Sequence, residues 1–280
     1  MPTPLREHVV PVAGVRSVVR EGGPPGDEAV VFVHGNPGSS QDWEFLGTQA
    51  ADFARVIAPD MPGFGHADKP RTFEYTVEGY ARHLAGLLDV LGVRRAHLVL
   101  HDFGGPWGLV WAATNHSRYA STTLINCGVL PGYQWHRFAR IWRTPVLGEL
   151  SQLLANRAAF HKSLNAGQPR PLPGAFIDRM YDDYDAGTKR AILRLYRATE
   201  PGRNAVRLQG ALRPLDRPTL VVWGARDPYI DVSYAERQRE TFPSATVHVL
   251  PDSGHWPFAD DPERVAALVV PFLKAQTRGT

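Results

Sequence analysis

The sequence predicts an α/β fold: a mostly parallel, twisted sheet with helices on both faces and a separate helical insertion. Two observations make that prediction and a third divides the chain. Short apolar runs alternate with stretches of helical periodicity across residues 1–128 and again across 211–280, the pattern of parallel strands joined by crossover helices. The run from Ala96 to Ala112, AHLVLHDFGGPWGLVWA, reads as a strand that turns sharply into a helix at Asp102. Residues 129–210 show no such alternation: they are rich in Arg and Leu, helical in spacing and broken at Gly167–Gly174. They read as a cap inserted into the core and lying over the carboxyl edge of the sheet.

At 280 residues the chain is long enough to bury a sizeable core. Its 43% hydrophobic and 21% charged residues are those of an ordinary soluble enzyme. The net charge of +3 is scattered, with no Lys/Arg block, which argues against a nucleic-acid partner. The opening MPTPLREHVVPVAGV lacks a long apolar run, and no later segment reaches membrane-spanning length, so no membrane partner is expected. A single cysteine, Cys127, excludes an internal disulfide and suits a reducing cytoplasm; its expected place is the packed core. No spacing of His, Cys and acidic residues suggests a metal, and no cofactor is expected.

In chain order, Glu7 to Val19 alternates as an opening antiparallel strand pair, closed by the turn-rich EGGPPG of residues 21–26. Ala29–Val33 (AVVFV) is a buried strand that delivers His34-Gly35-Asn36-Pro37-Gly38. Val56–Ala58 is a short strand before the loop PDMPGFGH of residues 59–66. Tyr75–Leu91 reads as an amphipathic helix stopped at Gly92. After the Ala96–Ala112 strand and helix comes the strand Thr122–Asn126. Beyond the insertion lie the strand Thr219–Trp223, a helix around Tyr234–Thr241, the strand Thr246–Leu250 and a closing helix from Pro262.

Chemistry in open parallel sheets gathers at the carboxyl ends of strands. Four such ends carry polar residues here: HGNP at 34–37, Asp102 with Phe103, GARD at 224–227, and DSGHWP at 252–257. A sharp strand-to-helix turn strains its apex residue and pushes that side chain out over the sheet edge. Small residues after the apex, here Gly104 and Gly105, let helix and strand pack closely. Taken singly, Asp102 and Asp227 also suit helix caps, and His255 suits a loop imidazole bonded to a carbonyl. Together, in that order and each at a predicted strand end, they follow the order nucleophile, acid, His.

On these residues, and over nearly its whole length, the chain resembles the α/β-hydrolase superfamily. Within it, the chain is similar to the aspartate-nucleophile group of haloalkane dehalogenases and epoxide hydrolases. The resemblance implies an α/β-hydrolase core of residues 1–128 and 211–280 with 129–210 as its cap. It implies Asp102 as nucleophile, His255 as general base, Asp227 as its orienting acid, and the backbone N–H groups of Asn36 and Phe103 as an oxyanion hole. A carboxylate attacking an ester would give an anhydride, whereas displacement at saturated carbon gives an ordinary ester. His255 would then activate water against that ester, and the oxyanion hole would stabilise the developing charge. The expected partners are thus a small apolar electrophile and water.

Halide and epoxide leaving groups make different demands. His34-Gly35-Asn36-Pro37 resembles the dehalogenase motif whose Asn side chain donates to the halide, and Leu100-His101-Asp102 and Ala58-Pro59-Asp60 with Asp68-Lys69-Pro70 also look like that family. Phe103 departs from it, because dehalogenases place Trp after the nucleophile and Phe has no donor. Losing one such donor in a dry site raises the barrier by about 2.7–4 kcal/mol, by analogy with an oxyanion-hole donor. Trp135 and Trp142 in the cap are substitute candidates, and Trp107 is expected in the core. Epoxide hydrolases need cap tyrosines to protonate the opening oxygen. Leu195-Tyr196-Arg197 resembles the stretch that carries one of them, with Tyr181 and Tyr184, and then Tyr133, as candidates for the other. The balance favours an epoxide hydrolase, with a haloalkane dehalogenase as the alternative and a non-catalytic ligand-binding protein of the same fold as a third reading.

Other polar residues are expected to be structural. His34 braces its own loop, Asp60 and Asp68 are turn residues, and His66, His97 and His101 show no ligand spacing. Asp231 and Asp252 rank below Asp227 as partners for His255, and Asn126 is placed to orient substrate or water.

Overall fold

The computed structural model describes residues 3–202 and 204–277. The core strands are β1 (Arg6–Val12), β2 (Val15–Gly22), β3 (Glu28–Val33), β4 (Arg55–Pro59), β5 (Arg95–His101), β6 (Tyr119–Ile125), β7 (Thr219–Gly224) and β8 (Thr246–Leu250). They form one sheet in the order β1-β2-β4-β3-β5-β6-β7-β8. β1 and β2 pair antiparallel, β2 meets β4 antiparallel, and every other pairing is parallel. The central strands β3, β5, β6 and β7 are almost wholly buried, because crossover helices cover both sheet faces.

Those helices are α1 (Glu44–Ala50), α2 (Val77–Val90), α3 (Gly104–Thr114), α10 (Ser233–Arg237), α11 (Pro257–Asp260) and α12 (Pro262–Gln276). α2 packs on α3, and α1 on α12. The Thr76 hydroxyl caps α2 by accepting from the Gly79 N–H at 3.0 Å. α3 is buried on most of its circumference, with Trp107 and Trp111 fully enclosed. The opening pair, the elbow and the closing helix lie where the periodicity predicts them. The helix predicted around Tyr234–Thr241 is shorter, ending in a 3₁₀ turn at Gln238–Glu240.

Among the described residues, six α-helices separate β6 from β7: α4 (Arg137–Arg143), α5 (Leu147–Leu154), α6 (Arg157–Asn165), α7 (Gly174–Asp182), α8 (Ala186–Ala198) and α9 (Ala205–Leu212). The Gly167–Gly174 break falls between α6 and α7. Arg179 on α7 bonds Asp42 of the core at 2.7 Å and the Ser39 hydroxyl at 3.1 Å. The Gln168 side-chain oxygen accepts from the His255 N–H at 3.1 Å. Among the described residues no helix is long and apolar enough to cross a membrane.

Candidate active site

β3 and β5 are neighbours from which the chain winds in opposite directions across the sheet, the place where open α/β sheets leave a crevice. Asp102 stands there, one residue past β5, with φ at +47°. Few non-glycine residues hold that backbone conformation, and it lifts the carboxylate over the sheet edge. Close approach is possible because the facing residues are glycines. A Cβ on Gly35 would sit 2.4 Å from the Asp102 Cβ, and one on Gly104 would sit 2.2 Å from the Val33 carbonyl oxygen. The Asn36 backbone N–H donates to Asp102 Oδ1 at 2.7 Å. Phe103 is the cap residue of α3, so its N–H is one of those a helix start leaves free beside an anion.

His255, buried after β8, has Nδ1 2.7 Å from Asp227 Oδ2 and Nε2 3.7 Å from Asp102 Oδ2. Asp227 is oriented by four donors. Its Oδ2 accepts from His255 and from Asn126 Nδ2 at 2.8 Å, and its Oδ1 accepts from the Tyr229 and Ile230 N–H groups at 2.7 and 3.0 Å. Burial disfavours a charged His255, but the two facing carboxylates outweigh it and lift its pKa to about 10. Burial likewise opposes the Asp102 charge, yet His255, His101 and the Asn36 N–H hold that carboxyl at about 2. The resting site is therefore an imidazolium held between the carboxyl groups of Asp102 and Asp227.

Two cavities meet at Asp102. The narrow one, about 300 Å³, is lined by Asn36, Trp142, Phe160 and His255 among others. The wide one, about 640 Å³, lies along Phe103, Val110 and Leu130. Asp102, His136, Tyr196 and Tyr229 line both. Tyr196, on α8, is fully buried, with its hydroxyl 3.2 Å from Asn36 Nδ2. Burial, and then the charge of Asp102, push its pKa well above the ordinary phenol value, so it stays protonated. His136 caps α4, its Nδ1 accepting from the Ala139 N–H at 3.3 Å. Burial holds its pKa at about 4. The imidazole is thus neutral and carries its proton on Nε2. Sequence reasoning missed His136; its only signal is a polar residue before a predicted cap helix.

A model of the alpha/beta hydrolase fold matches residues 28–262. The chain belongs to the α/β-hydrolase family. It is 28% identical to a cis-3-alkyl-4-alkyloxetan-2-one decarboxylase of Xanthomonas campestris, over 97% of this chain and 96% of that one. It is 28% identical to haloalkane dehalogenase 2 of Mycobacterium bovis, over 89% and 87%. The crystal structure of a haloalkane dehalogenase from Agrobacterium tumefaciens C58 superposes with a TM-score of 0.84 at 24% identity, over 98% of both chains. That last likeness speaks for the fold.

In this α/β-hydrolase the other sequence candidates fall into place unevenly. Tyr181 lines neither cavity; it packs on Phe160 beneath Arg157, which removes it as a leaving-group candidate. Tyr184 lines the narrow cavity, but its hydroxyl donates to Gln152 at 2.7 Å. The Tyr133 hydroxyl is held by the Tyr229 carbonyl at 3.1 Å. Trp142 lines the narrow cavity edge-on to Tyr196. Trp135 stacks on Phe103, its indole N–H buried and without a partner. Trp107 is core, stacked on Tyr80. Asn126 does not face substrate: at φ +44° its amide bonds Gly224 and Asp227, a positioning role that a residue at a strand end could have suggested. His34 ties its loop to residue 61, accepting from the Met61 N–H and bonding the Gly35 carbonyl. His101 donates from Nε2 to the His255 carbonyl at 2.8 Å. Asp68 pairs with Arg16, and Asp231 accepts from the Ser233 N–H. Cys127 is buried, its thiol pushed up by desolvation. Among the described residues no group of His, Cys, Asp and Glu could hold a metal ion.

Proposed function

We propose that this α/β-hydrolase opens epoxides through an ester on Asp102. The observation that carries the reading is the Tyr196 hydroxyl: buried, protonated and on the wall that Asp102 shares with both cavities. An Asp102 oxygen bonds a ring carbon as that carbon's bond to the ring oxygen breaks. The oxygen takes a proton from Tyr196, with the His136 Nε2–H as a second donor. Alkylation neutralises Asp102, so His255 loses one of the two anions that keep it protonated; its proton leaves through solvent, restoring the Tyr196 phenol, and His255 is left a neutral base. His255 then takes a proton from water, the oxygen of which attacks the Asp102 ester carbonyl. The N–H groups of Asn36 and Phe103 receive the oxyanion; on collapse the leaving alkoxide takes the proton from His255 to give the diol, and Asp102, released as the acid, passes its proton back to His255. The relative from Xanthomonas is named for a substrate, an oxetan-2-one, that is likewise a strained ring containing oxygen.

A second reading, displacement of halide, is favoured by the buried Asn36 amide and by the unpartnered Trp135 N–H. His255→Gln separates the two, because it alkylates without hydrolysing. Intact-protein mass spectrometry with styrene oxide should show the whole epoxide mass added at Asp102. A butyl adduct from 1-bromobutane, with none from styrene oxide, would overturn the epoxide reading in favour of the halide.

A further inference from the structure

Asp102 lies at the junction of two cavities of unequal size, and from this we infer that the enzyme's substrates are internal epoxides with two arms. The inference rests on the epoxide reading above and deepens it. A terminal epoxide has one substituent and needs one chamber. A 1,2-disubstituted ring places a carbon chain on each side of the reacting carbons. The wide cavity is about twice the narrow one, roughly 640 against 300 Å³, and both lie within the usual range of small-molecule sites, about 300–1,000 Å³.

Apolar side chains line both chambers, and the wide one also carries Glu78, Glu200, Asn204 and Arg207. On the narrow side stand Phe138, Trp142 and Leu164; on the wide side Phe103, Pro106 and Val110 adjoin the junction. The polar groups gather where the ring would sit. Asp102, Tyr196 and His136 are common to both chambers, so a donor is present whichever chamber takes which arm. Phe103 has a place in this arrangement. It lines the wide cavity, stacked on Trp135 and edge-on to Tyr196, and gives an apolar floor to a chain that leaves the ring on that side. With unequal chambers the longer arm has one preferred side, which fixes the ring carbon presented to Asp102. The bond changes are those given above, and the product is a mid-chain vicinal diol.

The test uses His255→Gln with the chambers intact, offered equal amounts of cis-2,3-epoxyoctane and 1,2-epoxyoctane in separate and mixed incubations. Initial adduct formation on Asp102 should favour the internal epoxide at least tenfold, although its ring carbons are the more hindered. A rate equal for both, or faster for the terminal isomer, overturns the inference while leaving epoxide opening intact. No adduct from either isomer or from styrene oxide overturns the proposed function and this inference with it. In the otherwise unaltered enzyme, Val110→Phe narrows the wide chamber. It should lower kcat/KM for cis-2,3-epoxyoctane at least tenfold. A loss below twofold would show that no arm of the substrate occupies the wide chamber, against the inference.

Discussion

The sheet edge and the cap hold their parts of the site by different means. At the edge, Asp227 accepts four hydrogen bonds of 2.7–3.0 Å, and Asp102 is fixed by its backbone, by Gly35 and by the Asn36 N–H. In the cap, Tyr196 makes one hydroxyl contact of 3.2 Å and His136 one of 3.3 Å. Their remaining neighbours are aromatic rings. Directional bonds define a position to tenths of an ångström, while apolar packing accepts other side chains of similar volume. Under the proposed function, the edge therefore fixes the type of reaction and the cap sets which substrate undergoes it.

Substitutions on the two sides should differ in kind as well as size. Asp102→Asn removes the proposed nucleophile and should lower turnover roughly 10⁴-fold or more, with no adduct on any electrophile by mass spectrometry. Tyr196→Phe keeps the ring packing and removes the proposed proton donor. Styrene oxide opening should fall about 10²-fold, while alkylation by 1-bromobutane, where it occurs, changes little. A uniform loss on both electrophiles would place Tyr196 with the structural residues of the cap. Asn126→Ala takes away one of the four bonds to Asp227, about 1.5 kcal/mol for a charged acceptor and so about tenfold. That loss should appear in hydrolysis of the ester by single-turnover kinetics and leave adduct formation nearly unchanged.

The last prediction concerns stability, and both regions contribute to it. Burial depresses His83 and His101 in the core to about 4 and about 3, and His136 in the cap to about 4. Below about pH 6.5 the unfolded chain takes up protons that these imidazoles refuse when folded. Stability should therefore fall as the pH drops from about 6.5 towards 4, by at most about 1.4 kcal/mol per unit for each group. His255 acts in the opposite sense: its raised pKa contributes fully below about 6.5 and is lost as the pH climbs through about 10. Urea midpoints across pH 5 to 7 that do not rise with pH would contradict the burial of these neutral imidazoles.

The same division governs what could be read from the sequence. Strand, turn and helix at Asp102 are local, written in LVLHDFGG with periodicity on both sides. The order Asp102, Asp227, His255 needs only that each residue end a strand. The cap offers no such anchor. Six short helices can stack in many ways, so nothing in the sequence separates Tyr196, at the junction, from Tyr181, which turns away to Phe160. His136 escaped because a helix-capping imidazole has no pattern of its own. Asn126 was placed at the correct strand end but assigned the wrong partner, since the bend that turns its amide towards Gly224 is a backbone fact.

The contact between Arg179 and Asp42 has a mechanical consequence. Asp42 is buried, and desolvation already raises its pKa against the pull of Arg179. Lifting α7 off the core strands that carboxylate, a penalty of about 3–5 kcal/mol for a buried pair. At that penalty a lid hinged on this side stands open in fewer than about one molecule in a hundred. The α7 side is thus a closed seam.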